Sequence, residues 1–154
     1  IVQPALTPDG KLLVCNTDGS SLRCVSILHE DGDWKFKELW TSTYLKPNFN
    51  DFVVYGGFAY GYNGPLLVCI DLKDGERKWR GNRYGGQILL LEDQGLLVIL
   101  SERGQVALVK ASPDRFDEIA YFNSITGKTW NHPAIANHIL LVRNAQEMVG
   151  YQID

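Results

Sequence analysis

The chain has 154 residues, 45% of them hydrophobic and 21% charged, and carries a formal net charge of −3. This composition is ordinary for one globular domain, and the small negative charge provides no general attraction for nucleic acid or an anionic membrane surface. The longest apolar runs, Ile88–Leu91 and Leu96–Leu100, are far shorter than the roughly 18 residues of a membrane-spanning helix, so we predict no membrane span. Because the chain begins at Ile1 rather than at Met, we expect an upstream segment to have been removed.

Four similar segments follow one another, each with an apolar strand, a polar turn and a second apolar strand. They are KLLVCNTDGSSLRCVSI (11–27), GFAYGYNGPLLVCIDL (57–72), GLLVILSERGQVALVKA (95–111) and HILLVRNAQEMVGYQID (138–154). The turns contain Asp-Gly, Asn-Gly, Arg-Gly and Asn-Ala, and glycine-bearing pairs between β-rich runs are typical of hairpins. When Asn16, Asn63, Ser101 and Asn144 are taken as equivalent, the steps are 47, 38 and 43 residues, which is the period of a four-stranded propeller blade.

A further strand precedes each hairpin, and another follows three of them. The preceding strands are QPALTP, DFVVYG, QILLLE and HPAIAN, and the following ones are FKELWTS (36–42), ERKWRG (76–81) and DEIAYFN (117–123). The segment SPDRFDEIAYF (112–122) has the serine, proline and acidic residues of a helix start, but the repeat register requires a strand there, and we predict a strand.

The sequence therefore predicts an all-β fold, a β-propeller fragment of about four blades. Each blade is a four-stranded antiparallel sheet, and the last one lacks its outer strand. The blades of this single domain span about residues 1–47, 48–86, 87–131 and 132–154.

Large aromatic residues occupy the same place in the three outer strands, namely Trp40, Trp79 and Phe122. Because they recur with the repeat, we interpret them as structural residues that pack against the next blade rather than as ligand-stacking residues.

The three cysteines, Cys15, Cys24 and Cys69, each lie in an apolar strand and are predicted to be small buried core residues. A two-residue turn at Gly19–Ser20 would place Cys15 opposite Cys24, so a cross-strand disulfide is the alternative.

Two segments, IDLKDGERKW and ITGKTWNHPAIANHILLVRN, resemble the repeat of the pyrroloquinoline-quinone-like β-propellers, in which an acidic or glycine turn precedes a docking tryptophan. The resemblance extends from Ala5 to Asp154, and LLVRNAQEMVGYQI is similar to the last blade of bacterial propellers related to the outer-membrane assembly lipoprotein. Since this family usually closes a ring of seven or eight blades, the resemblance implies the C-terminal half of a longer propeller and suggests a periplasmic or extracellular location.

Quinone dehydrogenases of this superfamily use an adjacent cysteine pair, a calcium ion and an aspartate base, and the sequence matches none of these. The cysteines are isolated, and His132 and His138 lack further metal ligands. We therefore expect no catalytic residue, metal or cofactor in this chain, and a non-catalytic scaffold. The alternative is a part of a pyrroloquinoline quinone-dependent oxidoreductase whose catalytic residues lie in the missing half.

In a propeller, the loops that join one blade's outer strand to the next blade's inner strand lie beside the mouth of the axial channel. Here these loops are TSTYLKPNFND (41–51), GNRYGGQ (81–87) and NSITGKTWNHP (123–133). Their candidate ligand-binding residues are Tyr44, Lys46, Asn48, Asn50, Arg83, Tyr84, Trp130, Asn131 and His132. Aromatic, amide and basic side chains at a concave mouth suit a protein or a carbohydrate-like ligand, although Asn50 and Asn131 could instead merely cap turns.

A blade buries its two faces only against its neighbours, so a fragment leaves an apolar face open at each end. We expect the remainder of the same propeller, or a second copy of this chain, to cover these faces.

Overall fold

The computed structural model describes residues 2–16 and 20–153, and within them the regular structure is β-sheet apart from a 3-10 turn at Glu92–Gln94. The strands form four separate antiparallel sheets, and in each sheet the strands lie side by side in chain order. We call these sheets blades 1 to 4. Three blades have four strands and blade 4 has three, so the predicted fold class is confirmed.

The strands have the following bounds. Blade 1 consists of β1 (Ala5–Leu6), β2 (Leu12–Cys15), β3 (Leu22–Glu30) and β4 (Asp33–Ser42); blade 2 of β5 (Val53–Tyr55), β6 (Phe58–Asn63), β7 (Leu66–Asp71) and β8 (Arg77–Arg83); blade 3 of β9 (Gly86–Leu91), β10 (Leu96–Ser101), β11 (Gln105–Lys110) and β12 (Glu118–Asn123); blade 4 of β13 (Ala134–Ala136), β14 (Ile139–Arg143) and β15 (Met148–Gln152).

The core consists of three apolar layers, one between each pair of consecutive blades. Because side chains alternate between the two faces of a strand, each of the middle blades contributes to two layers. In β6, for example, Tyr60 belongs to the layer between blades 2 and 3, whereas Ala59 belongs to the layer between blades 1 and 2. This stacking of sheets face to face is the packing of propeller blades.

The longest strands, β3 and β4, extend well beyond their predicted ends. The sequence predicts that the first hairpin ends at Ile27 and that the outer strand begins at Phe36. In the structure the two strands continue until Glu30 pairs with Asp33. Asp31 and Gly32 both have positive φ, at 55° and 84°, which is the conformation that a two-residue type I′ turn requires. We call residues 26–37 the ribbon, since β2 pairs with β3 only as far as Val25.

No helix forms across 112–117, and β12 begins at Glu118, as the repeat register predicts. The serine and proline instead open a loop. The Ser112 hydroxyl accepts a hydrogen bond from the Asp114 N–H at 3.3 Å, and the Lys110 N–H donates to the Asp117 carbonyl at 2.9 Å. These bonds hold residues 110–117 in a loop that leads into β12.

All three cysteines are unbonded, with Cys24 and Cys69 buried and Cys15 half-buried. The register of blade 1 places Cys15 opposite Leu22 and Cys24 opposite Leu13, so the two thiols do not face each other and the alternative of a disulfide is wrong. The Gly19–Ser20 turn on which that alternative depended falls partly outside the described residues. Burial also raises the pKa of the Cys69 thiol to about 12, which keeps it protonated and unreactive.

Candidate functional site at the loop face

The loops that enter blades 2, 3 and 4 lie at the same end of the sheets as the central hairpin turn of each blade. This follows from the up-and-down strand order, because the chain reverses direction at every turn. The loops comprise residues 43–52, 84–85 and 124–133, and the hairpin turn of blade 3 comprises 102–104. We call this end of the molecule the loop face.

Three polar contacts tie the loops 43–52 and 124–133 to the start of β9 and to each other. The Asn50 side-chain amide donates to the Gly86 carbonyl at 2.5 Å, and the Gln87 amide donates to the Trp130 carbonyl at 3.4 Å. Nε2 of His132 lies 3.2 Å from a carboxylate oxygen of Asp51. Since these contacts link the entrances of blades 2, 3 and 4, the loops form one continuous surface.

A groove of about 510 Å³ opens on this surface. It is lined by Asn48, Phe49, Asn50, Gln87, Glu102, Lys128 and Trp130. Its volume lies within the range of small-molecule binding sites. Two of its walls are aromatic and open to solvent, with Phe49 77% and Trp130 65% exposed.

The Trp130 ring is held by two groove residues. Its Nε1 donates a hydrogen bond to Glu102 Oε1 at 3.1 Å, and the Lys128 ammonium lies 4.3 Å from the ring centroid, in a cation–π position. These contacts orient an exposed aromatic ring at the groove.

Gln87 is the most deeply placed polar group of the groove, with only 7% of its surface exposed. Its amide nitrogen is bonded to the Trp130 carbonyl, whereas its Oε1 is buried and accepts no hydrogen bond from any residue that the structure describes. A buried acceptor without a donor costs about 1–3 kcal/mol. The preceding residue, Gly86, cannot carry a side chain, because a Cβ there would clash with the Leu100 carbonyl oxygen.

Two of the predicted binding residues lie outside the groove because of the way the 84–85 loop turns. The N–H groups of Tyr84 and Gly85 both donate to the Pro65 carbonyl, at 2.9 and 3.1 Å, and this turns the Tyr84 ring into the layer between blades 2 and 3. Its hydroxyl donates to the Glu118 carboxylate. Burial, with Glu118 beside it, raises the pKa of the Tyr84 phenol. Arg83, the last residue of β8, is exposed and does not line the groove.

Two further predicted residues serve the joint between blades 1 and 2. Tyr44 is half-buried, and the Arg77 guanidinium lies 5.0 Å from its ring centroid. The Lys46 main-chain N–H donates to the Tyr62 carbonyl at 2.7 Å. Their contacts fasten this loop to blade 2.

Asn131 and His132 lie beside the groove. The Asn131 amide approaches the Thr129 hydroxyl and the Arg143 carbonyl, both at 3.4 Å, which is a turn-capping arrangement. Exposed His132 contacts Asp51, as described above. Of the nine predicted residues, the structure thus brings Asn48, Asn50 and Trp130 together in the groove lining.

Four residues of the groove lining were not predicted from the sequence, namely Phe49, Gln87, Glu102 and Lys128. Phe49, Gln87 and Lys128 lie within the loops that the sequence singles out, so membership of those loops was the available signal. Glu102 belongs to the hairpin turn SERG, and the up-and-down strand order places this turn at the same end as the loops.

The three outer-strand aromatics each contact the following blade. The indole N–H of Trp40 donates to the Leu72 carbonyl at 3.0 Å, and that of Trp79 donates to the Ser112 carbonyl at 2.7 Å. Both carbonyls come just after the third strand of the next blade. Phe122 has no such donor, and its ring packs edge-on against Tyr151 with centroids 5.2 Å apart.

Among the described residues, no group of three or more His, Cys, Asp or Glu side chains is arranged to hold a metal ion. Within residues 2–16 and 20–153 there is no helix with the length and hydrophobicity that crossing a bilayer requires.

The fold defines the chain as part of a β-propeller, and comparison with solved structures agrees. The chain is similar to the crystal structure of BamB from Moraxella catarrhalis, with a TM-score of 0.63 and 11% sequence identity. The alignment covers 99% of this chain and 61% of the BamB chain, so the chain spans about three fifths of the length of that protein. At this identity the likeness concerns the fold alone. No family model and no curated protein sequence matches the chain.

Proposed function

We propose that this chain is a non-catalytic β-propeller scaffold that binds a protein or a polar ligand in the groove of the loop face. The observation that carries the proposal is the groove lining, in which the exposed rings of Phe49 and Trp130 accompany the carboxamides of Asn48 and Asn50. A bound ligand removes both rings from water, which is favourable.

The polar lining of the groove favours recognition over catalysis. Three of its residues, Asn48, Asn50 and Gln87, are carboxamides, which neither release nor take up protons near neutral pH. The single carboxylate, Glu102, accepts a hydrogen bond from Trp130. Such groups orient a ligand by hydrogen bonding.

We further propose that other β-sheets cover the open faces of blades 1 and 4. Leu141 occupies the repeat position of Leu13, Tyr60 and Val98, each three residues before its turn. Those three residues are at most 3% exposed because the next blade covers them, whereas Leu141 is 37% exposed. The covering sheet belongs either to the remainder of the same propeller or to a second copy of this chain.

Ligand-observed saturation-transfer NMR tests the groove, with a library of neutral saccharides and short peptides as probes. Trp130→Ala should abolish the saturation transfer, because it removes one aromatic wall. Trp34→Ala is the matched control, since Trp34 is 66% exposed and lies on the ribbon of blade 1.

The two variants separate the outcomes. Loss of binding in Trp130→Ala with retention in Trp34→Ala supports the loop face as the binding surface. Probes that bind both variants as well as the wild-type chain would locate binding elsewhere and contradict the proposal.

A further inference from the structure

We propose that the ligand of the groove is a neutral oligosaccharide, with a sugar ring stacked on Trp130 and Phe49 and sugar hydroxyls donating to Asn50 and Glu102. This inference rests on the proposed function and names the ligand class of the same site. It follows from the hydrogen-bond inventory, the aromatic walls and the charge of the groove.

The groove offers a surplus of acceptors. The amide nitrogen of Asn50 is bonded to the Gly86 carbonyl, which leaves the oxygen of this carboxamide available. Glu102 uses Oε1 for the Trp130 indole, which leaves Oε2 available. A suitable ligand therefore carries several donors close together, and adjacent hydroxyl groups on a sugar ring have this property.

The aromatic walls favour the same ligand class. The faces of aromatic rings are electronegative, so they attract the weakly positive C–H groups that one face of a sugar ring presents. Lys128 shows that the face of Trp130 attracts positive charge. Phe49 and Trp130 are both more than half exposed, and this leaves ring surface for stacking.

The charge of the groove favours a neutral ligand. Its lining contains one carboxylate, Glu102, and one ammonium, Lys128, so the two formal charges cancel. An anion would meet Glu102 and a cation would meet Lys128, whereas a neutral polyol meets neither penalty.

A peptide fits the lining less well. Each peptide unit brings a carbonyl acceptor with every N–H donor, and the acceptor-rich lining leaves those carbonyls poorly matched. Peptides that add to a sheet bind through the main chain of an edge strand, whereas the groove is lined by residues of two loops, one hairpin turn and the start of the inner strand β9.

Isothermal titration calorimetry with three neutral probes tests the inference: maltotriose, cellotriose and tri-N-acetylchitotriose. At least one should bind the wild-type chain with a Kd in the millimolar range or tighter. Trp130→Ala and Phe49→Ala should each raise this Kd about tenfold or more, which is the factor for a loss of about 1.4 kcal/mol.

Conservative and matched variants serve as controls. Trp130→Phe keeps an aromatic wall and should retain most of the affinity, which a purely structural role of Trp130 would not predict. Trp34→Ala and Phe36→Ala remove aromatic rings that are 66% and 73% exposed on the ribbon, and both should leave the Kd unchanged. A melting temperature for each variant checks that it folds.

The outcomes distinguish the ligand class from the binding role. If none of the three trisaccharides binds the wild-type chain, or if Trp34→Ala weakens binding as much as Trp130→Ala, the oligosaccharide inference is overturned. A peptide that binds and loses affinity in Trp130→Ala would overturn this inference and leave the proposed function standing.

Discussion

Trp40 and Trp79 reach the neighbouring blade in the same way, each with a hydrogen bond from its indole nitrogen to a main-chain carbonyl of that blade. Trp79 also contacts Tyr60 of its own blade and Phe116 of blade 3, with ring centroids 5.9 and 5.7 Å away. Such aromatic pairs add to the burial of apolar area. We propose that Trp79 is a principal link between blades 2 and 3.

Replacement of Trp79 by alanine should lower the free energy of unfolding by about 3–5 kcal/mol, as for other large buried aromatics. Urea unfolding followed by circular dichroism measures this change. Trp34→Ala is the control, since Trp34 is exposed and its replacement should change stability little. Equal stability of Trp79→Ala and the wild-type chain would contradict the structural role.

Buried phenols make the stability of the chain sensitive to alkaline pH. Burial raises the pKa of Tyr62 and of Tyr84 above the ordinary value near 10. In the unfolded chain these phenols lose their protons near pH 10, whereas in the folded chain they keep them to higher pH. Their contribution to stability is therefore fully present below about pH 10 and is lost as the pH rises towards the raised pKa.

Urea unfolding at several values from about pH 8 to about pH 11 should thus show a free energy of unfolding that falls above about pH 10. Tyr62→Phe removes one of the phenols and should make the decline shallower. A free energy that rises with pH in this range would contradict the account.

At the residue scale, the sequence predicts which loops line the groove better than which side chains do. Asn50 and Trp130, predicted from their place in loops between blades, line the groove. Tyr84 belongs to such a loop as well, but two hydrogen bonds to the Pro65 carbonyl turn its ring into the core. A composition of aromatic and basic residues does not reveal this turn.

The ribbon is the element whose structure departs most from the predicted strands. Its turn, Asp31–Gly32, is a strong hairpin signal, but it has no counterpart in the other repeats, so the repeat register does not predict it. By contrast, the same register correctly outweighed the helix signal at 112–117. The repeat register therefore predicts the strands that recur in every blade, but it does not predict the ribbon, which occurs in blade 1.

The ribbon should be the least protected β-structure of the chain. It has only two strands, and its apolar residues Ile27, Leu28 and Phe36 are exposed, whereas isolated two-stranded hairpins are only marginally stable in water. In hydrogen–deuterium exchange followed by mass spectrometry, amides of 26–37 should exchange faster than those of β6, β7 and β10. Equal protection of the ribbon and these buried strands would contradict this expectation.

At the scale of the whole molecule, the repeat explains the two open faces. The cross-strand pair Arg143–Met148 of blade 4 is equivalent to the pair Tyr62–Leu67 of blade 2. Leu67 is buried against blade 3, whereas Met148 is exposed. On blade 1, exposed Ile27 and Phe36 pair with each other and lie on the same side of β3 as Val25. Covering about 400 Å² of such surface contributes roughly 10 kcal/mol before the cost of association.

We therefore expect the isolated chain to associate at micromolar concentration. Sedimentation velocity should detect species heavier than the 17.3 kDa of one chain. Replacement of exposed Leu141 and Met148 by glutamate should weaken this association, because both lie on the open face of blade 4. A 17.3 kDa monomer with a cooperative melt would contradict the proposed covering of the open faces.

The central claim is that ligands bind at the loop face, and the four tryptophans of the chain test it in one measurement. A ¹H–¹⁵N spectrum contains one indole signal for each, so a titration with a probe that binds reports on four places at once. Our account predicts that the Trp130 signal moves while those of Trp34, Trp40 and Trp79 stay in place. A probe that moves the Trp34 signal and leaves Trp130 unchanged would contradict it.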